Sequence, residues 1–110
     1  MKPEAPVEQL LAADPIDLAG RSFVAIFAHV ELGQEVSRQK VMNWLVQEFG
    51  KWRWTPRSNR AYEAVIREIE LIYEQARVAS RRSSGTLVLL PRGVRLGDAP
   101  DPVTALRELL

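Results

Sequence analysis

The sequence predicts a mostly α-helical single domain with a small C-terminal β-hairpin. Three observations predict it. Apolar residues recur at helical spacing over residues 22–33, 37–50 and 56–80. Two short runs rich in Val and Leu, 86–90 and 94–96, flank Pro91-Arg92-Gly93 at hairpin length. The chain has 110 residues, 46% of them hydrophobic and 26% charged, which suffices for one packed core and not for two.

Taken in order, residues 1–21 read as a loosely ordered lead-in, with Pro3, Pro6 and Pro15 and a small apolar patch at Leu10 and Leu11. Asp14-Pro15 is a cap followed by a first-position proline, enough for a short helical turn ending near Gly20. Ser22 opens a helix that places Phe23, Ile26, Phe27 and Val30 on one face, with Gly33 as the stop. Its Phe, Val and Ile content leaves a buried strand as the competing assignment. Ser37 is a good N-cap, and Val36 can meet Val41 as a hydrophobic staple. Val41, Met42, Leu45, Val46 and Phe49 then form one face up to Gly50, and Trp44 reads as core. Residues 51–55, Lys-Trp-Arg-Trp-Thr, are too short for a helix. Thr55-Pro56 starts a long helix that can run to about Ser80, with Tyr62, Val65, Ile66, Ile69, Tyr73 and Ala76 on its apolar face. A basic, serine-rich break over 80–85 precedes the hairpin. Asp101-Pro102 starts a last helix with Val103, Leu106, Leu109 and Leu110 apolar. The main domain is therefore expected over 22–97, between the lead-in and a C-terminal helix in 98–110.

Composition excludes several kinds of chemistry. The chain has no cysteine, so disulfides, thiolate catalysis and zinc fingers are out. Its one histidine, His29, reads as a partly buried packing residue and leaves no metal pair. Ser83-Ser84-Gly85 lacks the strand–turn–helix context of a nucleophile elbow. The acids of the long helix have no nucleophile or phosphate loop beside them. No apolar run approaches a membrane span, and the first twenty residues lack the pattern of a secretory leader. These features predict a cytoplasmic, non-enzymatic module without cofactor or metal.

The formal net charge of +1 hides strong segregation. Residues 36–60 hold six basic side chains against one acid, and 75–97 hold five against none. Between them, 61–74 hold one basic residue against four acids. Two basic segments form one patch only if the fold brings them together. On the long helix, Arg57, Arg60, Ala64, Arg67 and Leu71 fall opposite the apolar face at offsets of three and four. An outward stripe of arginine suits a helix entering a major groove; a solvated face with a Glu63–Arg67 pair is the plainer alternative.

The order helix, helix, turn, long helix, hairpin resembles the winged helix-turn-helix superfamily. So does the Val36-Ser37-Arg38 helix start ahead of Val41 and Leu45, followed by a Thr-initiated helix with Arg57 and Arg60 ahead of Tyr62, Val65, Ile66 and Ile69. The resemblance covers residues 22–97 and is to the fold, not to a particular family within it. The link over 50–55 is longer than the plain motif's turn, and the long helix is longer than most recognition helices.

The resemblance implies a protein that binds double-stranded DNA, as a regulator or a replication or phage-type accessory factor. Helix 56–80 would lie in the major groove, with hairpin 86–97 as the wing and Arg92 at its tip. DNA contacts are then expected from Arg38, Lys51, Arg53, Arg57, Ser58, Asn59, Arg60, Arg67, Arg81, Arg82, Arg92 and Arg95. Arg60 is placed to reach a base edge and Arg57 a phosphate. Trp52 and Trp54 could stack on bases, but packing is the commoner use of such residues. Leu71 and Val78 continue the outward stripe where solvent is expected, so they need cover from the last helix, the N-terminal segment or a second subunit of a homodimer. The alternative function is a protein–protein interaction module in which Trp52, Trp54 and Leu71 meet a partner protein.

Overall fold

A computed structural model describes residues 5–49, 56–83 and 85–110. The described chain is mostly helical with one small antiparallel sheet. Its elements are α1 (Ala5–Ala12), α2 (Pro15–Phe27), β1 (Glu35–Ser37), α3 (Gln39–Phe49), α4 (Pro56–Ala76), β2 (Ala79–Arg81), β3 (Thr86–Leu89), α5 (Pro91–Gly97) and α6 (Pro102–Leu109).

Where the sequence predicts a loose lead-in, α1 buries Val7 and Leu10. Helix α2 then begins at the expected cap, with the Asp14 carboxylate accepting from the Ile16 N–H at 3.0 Å. It does not stop at Gly20. A Cβ there would lie 2.9 Å from a Val103 methyl and 3.0 Å from the Val103 Cα, so the glycine lets α6 approach the α2 backbone rather than ending the helix. Leu18, Ala19, Ser22, Phe23, Ile26 and Phe27 make the buried face, which settles the helix-or-strand alternative in favour of helix. The helix ends before His29, which is exposed rather than packed.

Val36 belongs to a strand that the sequence pattern did not announce. Strand β3 lies between β1 and β2, with Val36 opposite Leu87 and Arg81 also opposite Leu87 from the other side. Its Leu87, Val88 and Leu89 are all buried, as expected of a central strand covered on both faces. Ser37 still serves the start of α3, its hydroxyl accepting from the Gln39 N–H at 3.1 Å.

Helix α4 is the spine of the core and ends four residues before the predicted stop. Arg77 takes the left-handed conformation at φ 59°. Its N–H reaches the Glu74 carbonyl at 3.1 Å, and the Val78 N–H reaches the Tyr73 carbonyl at 3.0 Å. These two bonds form a Schellman closure with arginine where glycine is usual, so the sequence carried no stop signal. The closure turns Val78 into the core, fully buried, instead of leaving it on the outward stripe.

The hairpin is consequently displaced. Its arms are β2 and β3, and its turn is closed by the Gly85 N–H on the Arg82 carbonyl at 3.1 Å, with Gly85 at φ 81°. The predicted second arm, 94–96, lies in α5. Pro91 opens that helix at its first position. A Cβ on Gly93 would come within 2.3 Å of the Val78 carbonyl oxygen, so this glycine permits close packing and makes no turn.

The core centres on Phe23, Phe27 and Tyr73. The Phe rings stack at 4.7 Å, and Tyr73 meets Phe23 edge-on at 5.6 Å. The Ser22 hydroxyl donates to the Ala19 carbonyl at 3.2 Å, so the Tyr73 hydroxyl, 2.5 Å away, is the donor to Ser22. Trp44 is only partly buried, with the Arg21 guanidinium 5.5 Å from its ring centre.

Candidate nucleic-acid interface

The sequence leaves open whether the two basic segments meet. They do, through a carboxylate. Glu70 of α4 is only 1% exposed. It lies beside the apolar row of Ile66, Ile69 and Tyr73, where a carboxylate cannot stay charged without a cation. Arg38, between β1 and α3, supplies a two-bond fork: Nε to Oε2 at 2.5 Å and Nη2 to Oε1 at 2.6 Å. The bonds to Glu70 raise the Arg38 pKa against the opposing effect of burial. Arg81, at the end of β2, comes to 3.9 Å from the same carboxylate.

Backbone bonds hold this junction together. The Arg38 N–H donates to the Gly85 carbonyl at 3.3 Å, and the Arg82 N–H to the Thr86 carbonyl at 2.8 Å. The start of α3 is thereby tied to the hairpin turn. Beside it, Arg38, Gln39 and Met42 face Glu63, Ile66 and Arg67 across an open groove between α3 and α4. Arg60 and Arg67 are exposed on α4, and Arg82 is exposed at the turn; none of the three makes an ion pair among the described residues.

The predicted contact residues divide accordingly. Arg38, Arg67 and Arg81 come together around Glu70 and the groove, and Arg82 follows at the hairpin turn. Arg57, Asn59 and Arg60 are exposed in the first turns of α4, with the Asn59 amide donating to Glu63 at 3.5 Å. Ser58 is buried, because it lies on the same face as Ala61, Tyr62 and Val65. Arg92 and Arg95 are exposed on α5, which starts beyond Leu89, at the end of β3 away from the hairpin turn. These two arginines therefore belong to α5 and not to the hairpin that carries Arg81, and Arg92 is at no hairpin tip. Lys51, Trp52, Arg53 and Trp54 lie outside the described residues.

Sequence reasoning missed Glu70 itself, counting it only among the four acids of 61–74. The available signal was its place next to the apolar row, three residues before the core Tyr73.

Leu71 lies on the outward stripe and is 53% exposed, so the described residues do not give it the cover that the stripe calls for. With Ile16, Leu109 and Leu110 it lines an apolar groove between α4, the start of α2 and the end of α6. Among the described residues, no set of three or more His, Asp or Glu is grouped to hold a metal ion, and no helix is long and apolar enough to cross a membrane. No family model, curated protein or solved structure matches the chain.

Proposed function

We propose that this chain is a DNA-binding domain of the winged helix-turn-helix kind, with α3 and α4 as the helix pair and the β2–β3 hairpin as the wing. The observation that carries the reading is the meeting of Arg38 and Arg81, from the two basic segments, beside the exposed Arg67 of α4. The topology supports it: α2, β1, α3, α4, β2 and β3 follow in that order, with β3 between β1 and β2. Arg57, Arg60 and Arg67 belong to one helix and Arg81 and Arg82 to the hairpin that follows it, so one duplex could be gripped by both. The wing is 79–89, not 86–97, and Arg92 and Arg95 are not part of it.

The test is fluorescence anisotropy with a mixed-sequence duplex and a selected site at several salt concentrations. The expected result is binding that weakens steeply with salt. Arg60→Ala should lose about 1 to 3 kcal/mol on the selected site and less on the mixed one. Equal losses on both would make Arg60 a phosphate contact, and salt-independent or absent binding would reject the reading.

A second reading, a module that binds a partner protein or a second copy of itself, is favoured by the Leu71 groove alone. It gains if duplex binding is absent while Leu71→Glu abolishes self-association in sedimentation.

A further inference from the structure

Among the described residues, Glu70 is the one buried carboxylate, and it spends both oxygens on holding arginine. Arg38 turns Nε and Nη2 toward it, which leaves Nη1 outside the fork, and the side chain as a whole is 36% exposed. Arg81 is 46% exposed and shares the carboxylate. Arg67 lines the same groove as Arg38, and so does Glu63. Three guanidiniums therefore face two carboxylates, one of them buried, so one net positive charge remains on the open side. Guanidinium forks in fixed orientation match the two free oxygens of a phosphodiester, and arginines ordered before binding have less freedom to lose when it arrives.

We propose that Glu70 is a positioning residue for a backbone-phosphate clamp: it fixes Arg38 and draws in Arg81 so that one DNA phosphodiester docks between the start of α3, α4 and the hairpin. The inference rests on the duplex-binding reading above and assigns a particular phosphate site within it. Its consequence runs against simple charge counting. Glu70 is negative and close to the bound phosphate, so removing its charge should strengthen binding if the arginines merely form a positive patch. If Glu70 positions them, removing it weakens binding although the net charge has risen.

The experiment compares the full-length wild type with Glu70→Gln, Arg38→Ala, the double variant and Arg38→Lys, by duplex anisotropy over a salt series. In parallel, the Arg Nε–H resonances are followed by NMR as duplex or inorganic phosphate is added. Glu70→Gln is expected to bind the duplex about tenfold more weakly, with a salt slope shallower by about one. Adding Arg38→Ala to it should cost little more. Arg38→Lys keeps both Glu70 and the net charge but loses the fork; it should weaken binding similarly, and it serves if Glu70→Gln does not fold. Equal or tighter binding by a folded Glu70→Gln, or unchanged binding by Arg38→Lys, overturns the clamp. If the wild type binds duplex without moving the Arg38 Nε–H, the clamp falls and the duplex reading stands. If duplex fails to bind but inorganic phosphate moves the Arg38 and Arg81 signals, the DNA clamp falls with the duplex reading, and only the grouping of the two arginines as a phosphate site is left.

Discussion

Among the arginine–carboxylate junctions that tie distant parts of this chain together, two stand in opposite surroundings. Arg38 meets Glu70 across 32 residues through two short bonds to a carboxylate that is 1% exposed. Arg107 of α6 meets Asp14, the cap of α2, across 93 residues at 2.8 Å, with side chains 52% and 45% exposed. The chemistry is the same and the surroundings are not. Around Asp14 water competes for both partners, and losing one leaves the other solvated. Around Glu70 there is little water, so either partner alone is a problem for the fold. Burial, more than distance in sequence or the presence of an ion pair, decides which junction the fold depends on.

The largest expected effect follows directly. Arg38→Met should cost about 3 to 5 kcal/mol, since it leaves a buried charge with only Arg81, 3.9 Å away and without a hydrogen bond, to answer it. Adding Glu70→Leu should recover most of that loss, because an apolar pair of similar volume needs no compensation. Urea unfolding of the two variants checks it. If the double variant is as unstable as the single one, the loss came from packing around Arg38 and the contrast between the junctions fails.

A smaller effect, with a defined pH window, belongs to the exposed junction. The hydrogen bond from Arg107, then that from the Ile16 N–H, holds the Asp14 carboxyl below its ordinary value of 3.8. Bonds from the Thr104 hydroxyl and N–H lower Asp101, the cap of α6, in the same way. A carboxyl whose pKa is lowered on folding binds fewer protons folded than unfolded. Its stabilisation is therefore complete above the unfolded value, about 3.9, and is lost as pH falls through the folded one. Amide protection over 102–109, taken relative to the intrinsic exchange rate at each pH, should fall below about pH 4 while the buried face of α4 stays protected. In Arg107→Ala the Asp14 share of that acid response should shrink. Simultaneous loss of protection in α4 and α6 would mean that the exposed junction is not separable from the core.

What the sequence made legible follows the same division. Caps and periodic apolar faces depend on neighbours three or four residues away, so the starts of α2 and α6 and the apolar face of α4 could be read directly. The Schellman closure at Arg77 could not, because the left-handed residue is not glycine and its warrant is the burial of Val78. Pro91-Arg92-Gly93 fits both a turn and a helix start, and only contact with the Val78 carbonyl decides between them. Strand β1 is three residues long and owes its existence to β3, fifty residues later. At the candidate interface the arginines were visible as composition, but their grouping was not. That depended on Glu70, whose role is set by what packs over it.

The smallest expected effect tests whether geometry or burial governs the Glu70 junction. Arg81 shares the buried carboxylate, but at 3.9 Å and with its side chain 46% exposed, it makes none of the short bonds that Arg38 makes. If the two Arg38 bonds satisfy Glu70, Arg81 adds only a screened attraction. Arg81→Ala should then cost no more than about 1 kcal/mol, and high salt should erase most of the difference from wild type. If proximity to a buried charge matters more than hydrogen-bond geometry, Arg81→Ala should approach the loss expected for Arg38→Met and resist salt. Urea unfolding of Arg81→Ala at low and high salt separates the two outcomes. A small, salt-sensitive loss would leave Arg81 available to turn its guanidinium toward an outside anion without cost to the fold, as a phosphate contact requires.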